Sequence, residues 1–267
     1  MMIYQNFNYH THTFRCGHAK GKDEEYIQTA IKAGYKILGF SEHIQYRAMN
    51  GKLNRINYEA FDEYFDSIHF LKRKYGNEIK ILCGLETEFI PEWLADLYDI
   101  RKKCDYFILG QHIGAPDTLQ YYECCTDTEV LQYAVDIEYA VRTGLFSIIA
   151  HPDYFMLSRD NWSYNCEEAA RKICKISKTY KIPLEINLKG LKTQPKKINK
   201  NYVHPYPFRP FLEIASEYSV PVIFGVDAHS PEELYAEDLY HEAVEILEGI
   251  SLNFKKLFYP YNYNRRT

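Results

Sequence analysis

Phe7-Asn8-Tyr9-His10-Thr11-His12-Thr13-Phe14-Arg15-Cys16-Gly17-His18 is the stretch that decides the fold. Its first part, Phe7–Thr11, reads as a short strand. An open doubly wound sheet built to bind a dinucleotide would carry G-x-G-x-x-G immediately after that strand. Here the strand runs into histidines instead. His10 and His12 stand at i and i+2, a spacing that puts both side chains on one side of an extended chain.

Six further apolar segments read as strands: Ile37–Ser41, Ile79–Glu86, Tyr106–Gln111, Phe146–Ala150, Pro183–Ile186 and Pro221–Gly225. Their unbroken apolar runs suit parallel strands covered on both faces. Between them lie helical patterns over Asp23–Ala33, Tyr58–Tyr75, Pro91–Lys103, Asp127–Thr143, Glu167–Tyr180, Phe211–Tyr218 and Pro231–Leu247. Gly34, Gly76 and Gly144 follow three of these, and proline opens two, as helix ends and starts require. Strands alternating with helices predict a parallel α/β architecture. With the dinucleotide signature absent, the expected form is a closed or distorted seven-stranded barrel, a (β/α)7 variant of the TIM type, occupying 1–267 as a single domain.

The composition narrows the function. Of 267 residues 46% are hydrophobic, enough to bury a sizeable core, and the net charge is −4. No basic stripe suggests a nucleic-acid partner, and no apolar run approaches the ~20 residues of a membrane helix. The first ten residues lack the basic-then-apolar order of a signal peptide. Seven cysteines, irregularly spaced and without a C-x-x-C pair, suit reduced thiols in a cytoplasmic protein.

The metal-binding residue types fall at strand ends. His10 and His12 end the first strand, with His18 in the next loop. His43 follows the second strand, Glu86 ends the third, His112 the fourth and His151 the fifth, and Asp227 and His229 end the last. In a parallel barrel all these ends converge on one face, where active sites lie. A single histidine after a strand is more often a loop or capping residue than a ligand. Independent histidines, however, would not collect at one mouth together with two carboxylates. His69, His204 and His241 fall outside the pattern, and His69 and His241 read as ordinary helix residues. Nine ligands exceed what one ion takes, so two or three ions sharing a carboxylate are expected. Imidazole-rich sites suit Zn, Fe or Mn, and the absence of a thiolate argues against iron–sulfur.

At these residues the chain resembles the polymerase and histidinol phosphatase (PHP) superfamily, through HTH…H, SEH, GLE and DAH, with GQH and AHPD between. The resemblance implies a trinuclear centre. His10, His12, Glu86 and Asp227 would hold one ion, Glu86, His112 and His151 a second, and His18, His43 and His229 a third. Within the superfamily the chain is most similar to the histidinol phosphate phosphatases, through CGHA in the first loop, AHPD, EIN followed by GL, and Tyr206-Pro207 ahead of FGVDAHSPEEL. That similarity implies hydrolysis of L-histidinol phosphate to L-histidinol and phosphate in histidine biosynthesis. It departs at Lys192, where the subfamily often has arginine, at Glu42, where many members have aspartate, and in a basic loop, QPKKINKNYVHPYPFR.

Phosphate monoesters hydrolyse very slowly unaided. Three divalent ions outweigh Glu86 and Asp227 and leave a local positive field that a mildly acidic protein otherwise lacks. The expected reaction is in-line attack by a metal-bridging hydroxide, with Glu86 bridging ions and Glu42 or Asp153 as candidate proton donors to the leaving oxygen. Both of those carboxylates read equally well as acceptors for ligand imidazoles. Arg15, Arg159, Lys192 and Arg209 are candidate phosphate cations, although each also reads as a surface charge. Asp117 is a candidate acceptor for the amine, and Tyr154 or Tyr206 could pack on the imidazole. The alternatives are a PHP phosphoesterase acting on another small phosphomonoester such as a nucleotide, a non-catalytic metal- or phosphate-sensing module, and an amidohydrolase-type barrel. The last would normally use fewer histidines and a bridging lysine.

Overall fold

The computed structural model describes residues 5–44, 46, 55–56, 60–114, 121, 123 and 125–260. In chain order its strands are β1 (Phe7–Asn8), β2 (Ile37–His43), β3 (Lys80–Thr87), β4 (Tyr106–Leu109), β5 (Ile148–Ile149), β6 (Leu184–Asn187), β7 (Lys196–Ile198), β8 (Asn201–Val203), β9 (Pro221–Gly225) and β10 (Asn253–Phe254). The helices are α1 (Asp23–Lys32), α2 (Phe61–Lys74), α3 (Leu94–Arg101), α4 (Asp127–Thr143), α5 (Tyr164–Tyr180), α6 (Arg209–Tyr218) and α7 (Glu237–Ile246).

Local chemistry sets the helix ends. Glu25 reaches back to the Lys22 N–H at 2.6 Å, and Glu129 does the same for Thr126, satisfying donors that a first turn leaves unpaired. The Ser163 hydroxyl accepts the Cys166 N–H to start α5. Gly144 ends α4 in the left-handed conformation. The buried face of α2 is Phe61, Tyr64, Phe65, Ile68 and Leu71, a helical stripe that packs on the sheet.

Eight strands form one parallel sheet in the order β1-β2-β3-β4-β5-β6-β9-β10. The expected count of seven is corrected. β10, a two-residue strand with no apolar run, adds to β9 with Asn253 opposite Pro221 and Phe254 opposite Val222. The basic loop after β6 is not purely a loop, because Lys196–Ile198 and Asn201–Val203 form an antiparallel hairpin. No continuous ladder closes the sheet among the described residues. The chain beyond β1 instead meets the chain beyond β9 through a single parallel bridge between Thr11 and Ala228. The His12 N–H donates to the Ala228 carbonyl at 2.9 Å, and the Ala228 N–H to the His10 carbonyl at 3.2 Å.

Two apolar layers hold the sheet. The larger lies between sheet and helices. The smaller, made by Phe7, Tyr9, Leu82, Tyr106, Ile148, Ile223 and their neighbours, draws on strands across the whole sheet, so these inward faces meet one another. The Tyr106 hydroxyl lies 2.7 Å from the Tyr9 carbonyl and 2.9 Å from the Phe40 carbonyl, either of which can accept its one proton, so this buried phenol is not left unpaired. Both layers leave the strands' C-terminal ends as the polar end of the sheet.

Candidate metal centre

Every one of the nine expected ligands lies at that end. His43 and Glu86 close β2 and β3 and sit opposite each other in register. The others occupy the turns just past their strands. His10, His12, Glu86 and His151 are at most 2% exposed, while His18 is exposed at the rim. His151 and Asp227 adopt left-handed backbone, with φ of 27° and 53°. Neither is glycine, and such conformations cost about 1–3 kcal/mol each, a strain that concentrates at functional sites.

Glu86 is the hub. Its Oε2 lies 2.9 Å from His43 Nδ1, 3.4 Å from His10 Nε2 and 3.5 Å from His12 Nε2. Its Oε1 lies 2.9 Å from His151 Nε2 and 3.5 Å from His112 Nε2. Asp227 Oδ1 lies 3.1 Å from His12 Nε2 and 3.5 Å from His10 Nε2. His18 and His229 meet Nε2 to Nε2 at 2.9 Å. Gly110 makes room for the hub, since a β-carbon there would fall 2.0 Å from Glu86 Oε1.

Burial favours uncharged forms, and charge competes with it. Burial works to raise the Glu86 pKa, but His10, His43 and His112 outweigh it and hold the carboxylate well below its ordinary range. Asp227 is likewise held well below, against burial, chiefly by His10 and Lys189. Burial lowers His10, but Asp227, Glu185 and Glu86 overcome it and raise the imidazole well above its usual value. Burial, helped by the charge of His12, puts His43 well below and His229 down to about 2.

Residues present here fit divalent cations. Buried His10 Nε2, both His12 nitrogens, Glu86 Oε2, His151 Nδ1 and Asp227 Oδ1 have no hydrogen-bond partner. Unpaired buried polar atoms are rare and need a reason. Four of them face one another at 3.1–3.5 Å. A tetrahedral ion with ligands at about 2.0–2.1 Å separates its ligand atoms by about 3.3 Å. Among the described residues, trios with ligand atoms mutually within 4.8 Å are His10-His12-Glu86, His10-His151-Asp227, His43-Glu86-His112, His12-His43-His229 and Cys16-His18-His229. His43 therefore stands with Glu86 and His112 as well as with His229. Cys16, absent from the expected set, is buried and donates its thiol to the Thr13 carbonyl at 3.2 Å. Burial pushes that thiol up to about 12.

Several supporting residues escaped the sequence reading. Glu185 Oε1 accepts from His10 Nδ1 at 2.8 Å, and Glu88 Oε1 lies 2.9 Å from His112 Nδ1. Carboxylates of this kind orient ligand imidazoles. The signal for Glu88 was its i, i+2 spacing from Glu86 at the end of a strand, whereas Glu185 carried none. Arg55 pairs with Glu88, and Lys189 Nζ reaches His229.

The other expected residues divide. Tyr206 is buried beside the centre, its ring 6.3 Å from that of His151 and 5.5 Å from that of Tyr154. Glu42 lies beneath the centre, accepting from the Thr13 N–H and hydroxyl and from the His43 N–H, with Oε1 3.5 Å from His12 Nδ1. Asp153 is buried and accepts the Phe208 N–H at 2.6 Å. The candidate cations are each engaged by other partners. Arg15 binds Asp23 and Glu63, and Arg159 binds Asp127 and the Cys125 carbonyl. Lys192 binds Glu233, and Arg209 binds Glu213 and the carbonyls of Ile246 and Glu248. Asp117 lies outside the described residues. His204 pairs with Glu242 at 3.0 Å, away from the cluster.

Fold and site together define a parallel α/β protein with a histidine-rich candidate metal centre at the C-terminal ends of its strands. The PHP domain model matches residues 8–189, more than half of the chain, and the chain belongs to that family. It is 27% identical over 239 residues to a probable histidinol-phosphatase of Deinococcus radiodurans, covering 84% of this chain and 86% of that one. It is also 27% identical over 273 residues to a probable histidinol-phosphatase of Schizosaccharomyces pombe, covering 90% and 85%. A crystal structure of histidinol phosphate phosphatase from Lactococcus lactis, complexed with zinc, L-histidinol and phosphate, superposes with a TM-score of 0.71 at 17% identity, covering 94% of this chain and 95% of that one. This structural likeness establishes the fold. No helix among the described residues is long and apolar enough to cross a membrane.

Proposed function

We propose that the chain is a metal-dependent phosphomonoesterase that hydrolyses L-histidinol phosphate to L-histidinol and inorganic phosphate, the last part of its case resting on relatives that carry the name histidinol-phosphatase. The observation that carries the chemistry is the set of partnerless buried nitrogens and oxygens converging on Glu86 and Asp227. The proposed ligands are His10, His12, His18, His43, Glu86, His112, His151, Asp227 and His229, holding three divalent ions, with zinc, iron or manganese all suited to that donor set. The sheet is proposed to act as a distorted barrel, one domain long, with the Thr11–Ala228 bridge joining its margins.

Bound divalent cations supply charge to offset a phosphate dianion and ease the deprotonation of water. The chain's own residues do the rest. Glu185 and Glu88 fix the orientation of His10 and His112. Tyr154 and Tyr206 wall the side next to His151, where an imidazole ring can stack. Asp153, whose carboxyl burial pushes up to about 7, is the better candidate donor to the leaving oxygen.

Phosphate release from L-histidinol phosphate, compared with a panel of other monoesters after loading with zinc, manganese or iron, tests the reading. A kcat/KM for histidinol phosphate far above the rest is expected. Preference for another monoester would keep the chemistry and reject the substrate. No turnover with metal bound would reject the enzyme.

A further inference from the structure

Lys189 was not among the cations that the sequence singled out. It lies in the short 3-10 turn Leu188–Lys192 after β6, whose start is fixed by Asn187 Oδ1 accepting the Gly190 N–H at 3.3 Å. Its Nζ is 2.9 Å from His229 Nδ1, 3.1 Å from His229 Nε2 and 3.6 Å from Asp227 Oδ1. The side chain is 35% exposed, so solutes can reach it.

The neighbouring cations differ in kind. Arg15, Arg159 and Arg209 are held by carboxylates or carbonyls outside the centre, and Lys192 is held by Glu233, whose other oxygen accepts the His229 N–H. Arg55 is 7% exposed and already neutralised by Glu88. The side chains in polar contact with the Lys189 ammonium, His229 and Asp227, are both proposed to bind cations. When those residues give their electron pairs to a cation, the ammonium loses its acceptors and faces positive charge. An anion placed between relieves both effects, and a phosphoryl group is the anion that the proposed reaction brings.

We propose that Lys189 binds the phosphoryl group of the substrate and the phosphate product, in the place the sequence suggested for Lys192; this rests on the functional reading above. Lysine serves as a point charge, without the bidentate geometry of arginine.

The test is calorimetric titration of inorganic phosphate into the zinc-loaded full chain, with metal content measured on each sample, for wild type, Lys189→Met, Lys189→Arg and Lys192→Met. Lys189→Met is expected to weaken phosphate binding about tenfold or more at unchanged metal content, Lys189→Arg to recover part of the loss, and Lys192→Met to stay within about twofold of wild type. Wild-type phosphate affinity in Lys189→Met would overturn the proposal. So would a loss appearing in Lys192→Met instead, a loss explained by metal depletion, or a wild type that binds no phosphate. A wild type that binds phosphate through Lys189 yet hydrolyses no monoester would sink the functional reading and leave Lys189 standing.

Discussion

His10 and Glu185 stand 2.8 Å apart, Nδ1 to Oε1, with both side chains almost wholly excluded from solvent. The contact fixes the tautomer, because a proton on Nδ1 shared with Glu185 leaves the Nε2 electron pair facing Glu86 and Asp227. Glu185 Oε2 also accepts from the His151 N–H at 3.1 Å and from the Asn187 amide at 3.0 Å. One carboxylate therefore orders three groups at the centre. Glu185→Gln should fold normally yet lose about 10–100-fold in metal affinity, measured by chelator competition. Gly225→Ala should mimic it, since its β-carbon would fall 1.7 Å from Glu185 Oε1. Wild-type affinity in Glu185→Gln would remove the carboxylate from the metal argument.

Glu86 touches more of the centre than any other side chain described here, with contacts to five histidines. Glu86→Ala should abolish turnover and deplete bound metal together, as elemental analysis would show. Gly110→Ala should do the same without touching a ligand, because the new methyl group and Glu86 Oε1 cannot share the space. A loaded, active Glu86→Ala protein would reject the hub assignment.

The sequence made the central architecture legible where physics leaves a pattern. β2, β3 and β9 are apolar runs, and the runs were visible. β10 was not, since two residues, Asn253 and Phe254, carry no periodicity and pair only because β9 offers an open edge. The nine histidines and carboxylates of the candidate site were legible because strand ends in a parallel sheet converge. Glu185 and Lys189 were not, because carboxylates and lysines are common and only the folded chain shows which of them face His10 or His229. Arg15 reads in the sequence either as a phosphate cation or as a surface charge, and only the folded chain shows it engaged by Asp23 and Glu63.

Metal removal should destabilise the fold. Without a cation, buried polar atoms at His10, His12, Glu86, His151 and Asp227 lack partners, and each such atom costs about 1–3 kcal/mol. Zinc at 100 times its Kd should add about 2.7 kcal/mol of stability, and the increment should grow with the logarithm of concentration. Differential scanning fluorimetry after exhaustive chelation and graded zinc return measures this. A Tm indifferent to zinc would contradict a bound structural or catalytic cation.

Glu42 and Asp153 were interchangeable as proton donors in the sequence, and their surroundings now separate them. Three protein donors aim at the Glu42 oxygens, which makes it an acceptor that holds Thr13 and His43 in place. Asp153 accepts the Phe208 N–H, but burial dominates and raises its carboxyl to about 7. A carboxyl raised above its unfolded value stabilises the fold while protonated. That contribution is complete below about pH 4 and is lost as pH rises through about 7. Asp153→Asn carries no such titration. Wild type should therefore lose stability relative to the variant between pH 4 and 7, by on the order of a few kcal/mol, in urea denaturation of the chelated protein. If Asp153 also donates the proton, kcat should fall as pH rises through about 7 in wild type, and that limb should vanish from whatever activity Asp153→Asn retains. Parallel stability curves for the two proteins would refute the raised carboxyl. An alkaline limb that persists in the variant would return the proton donor to another residue.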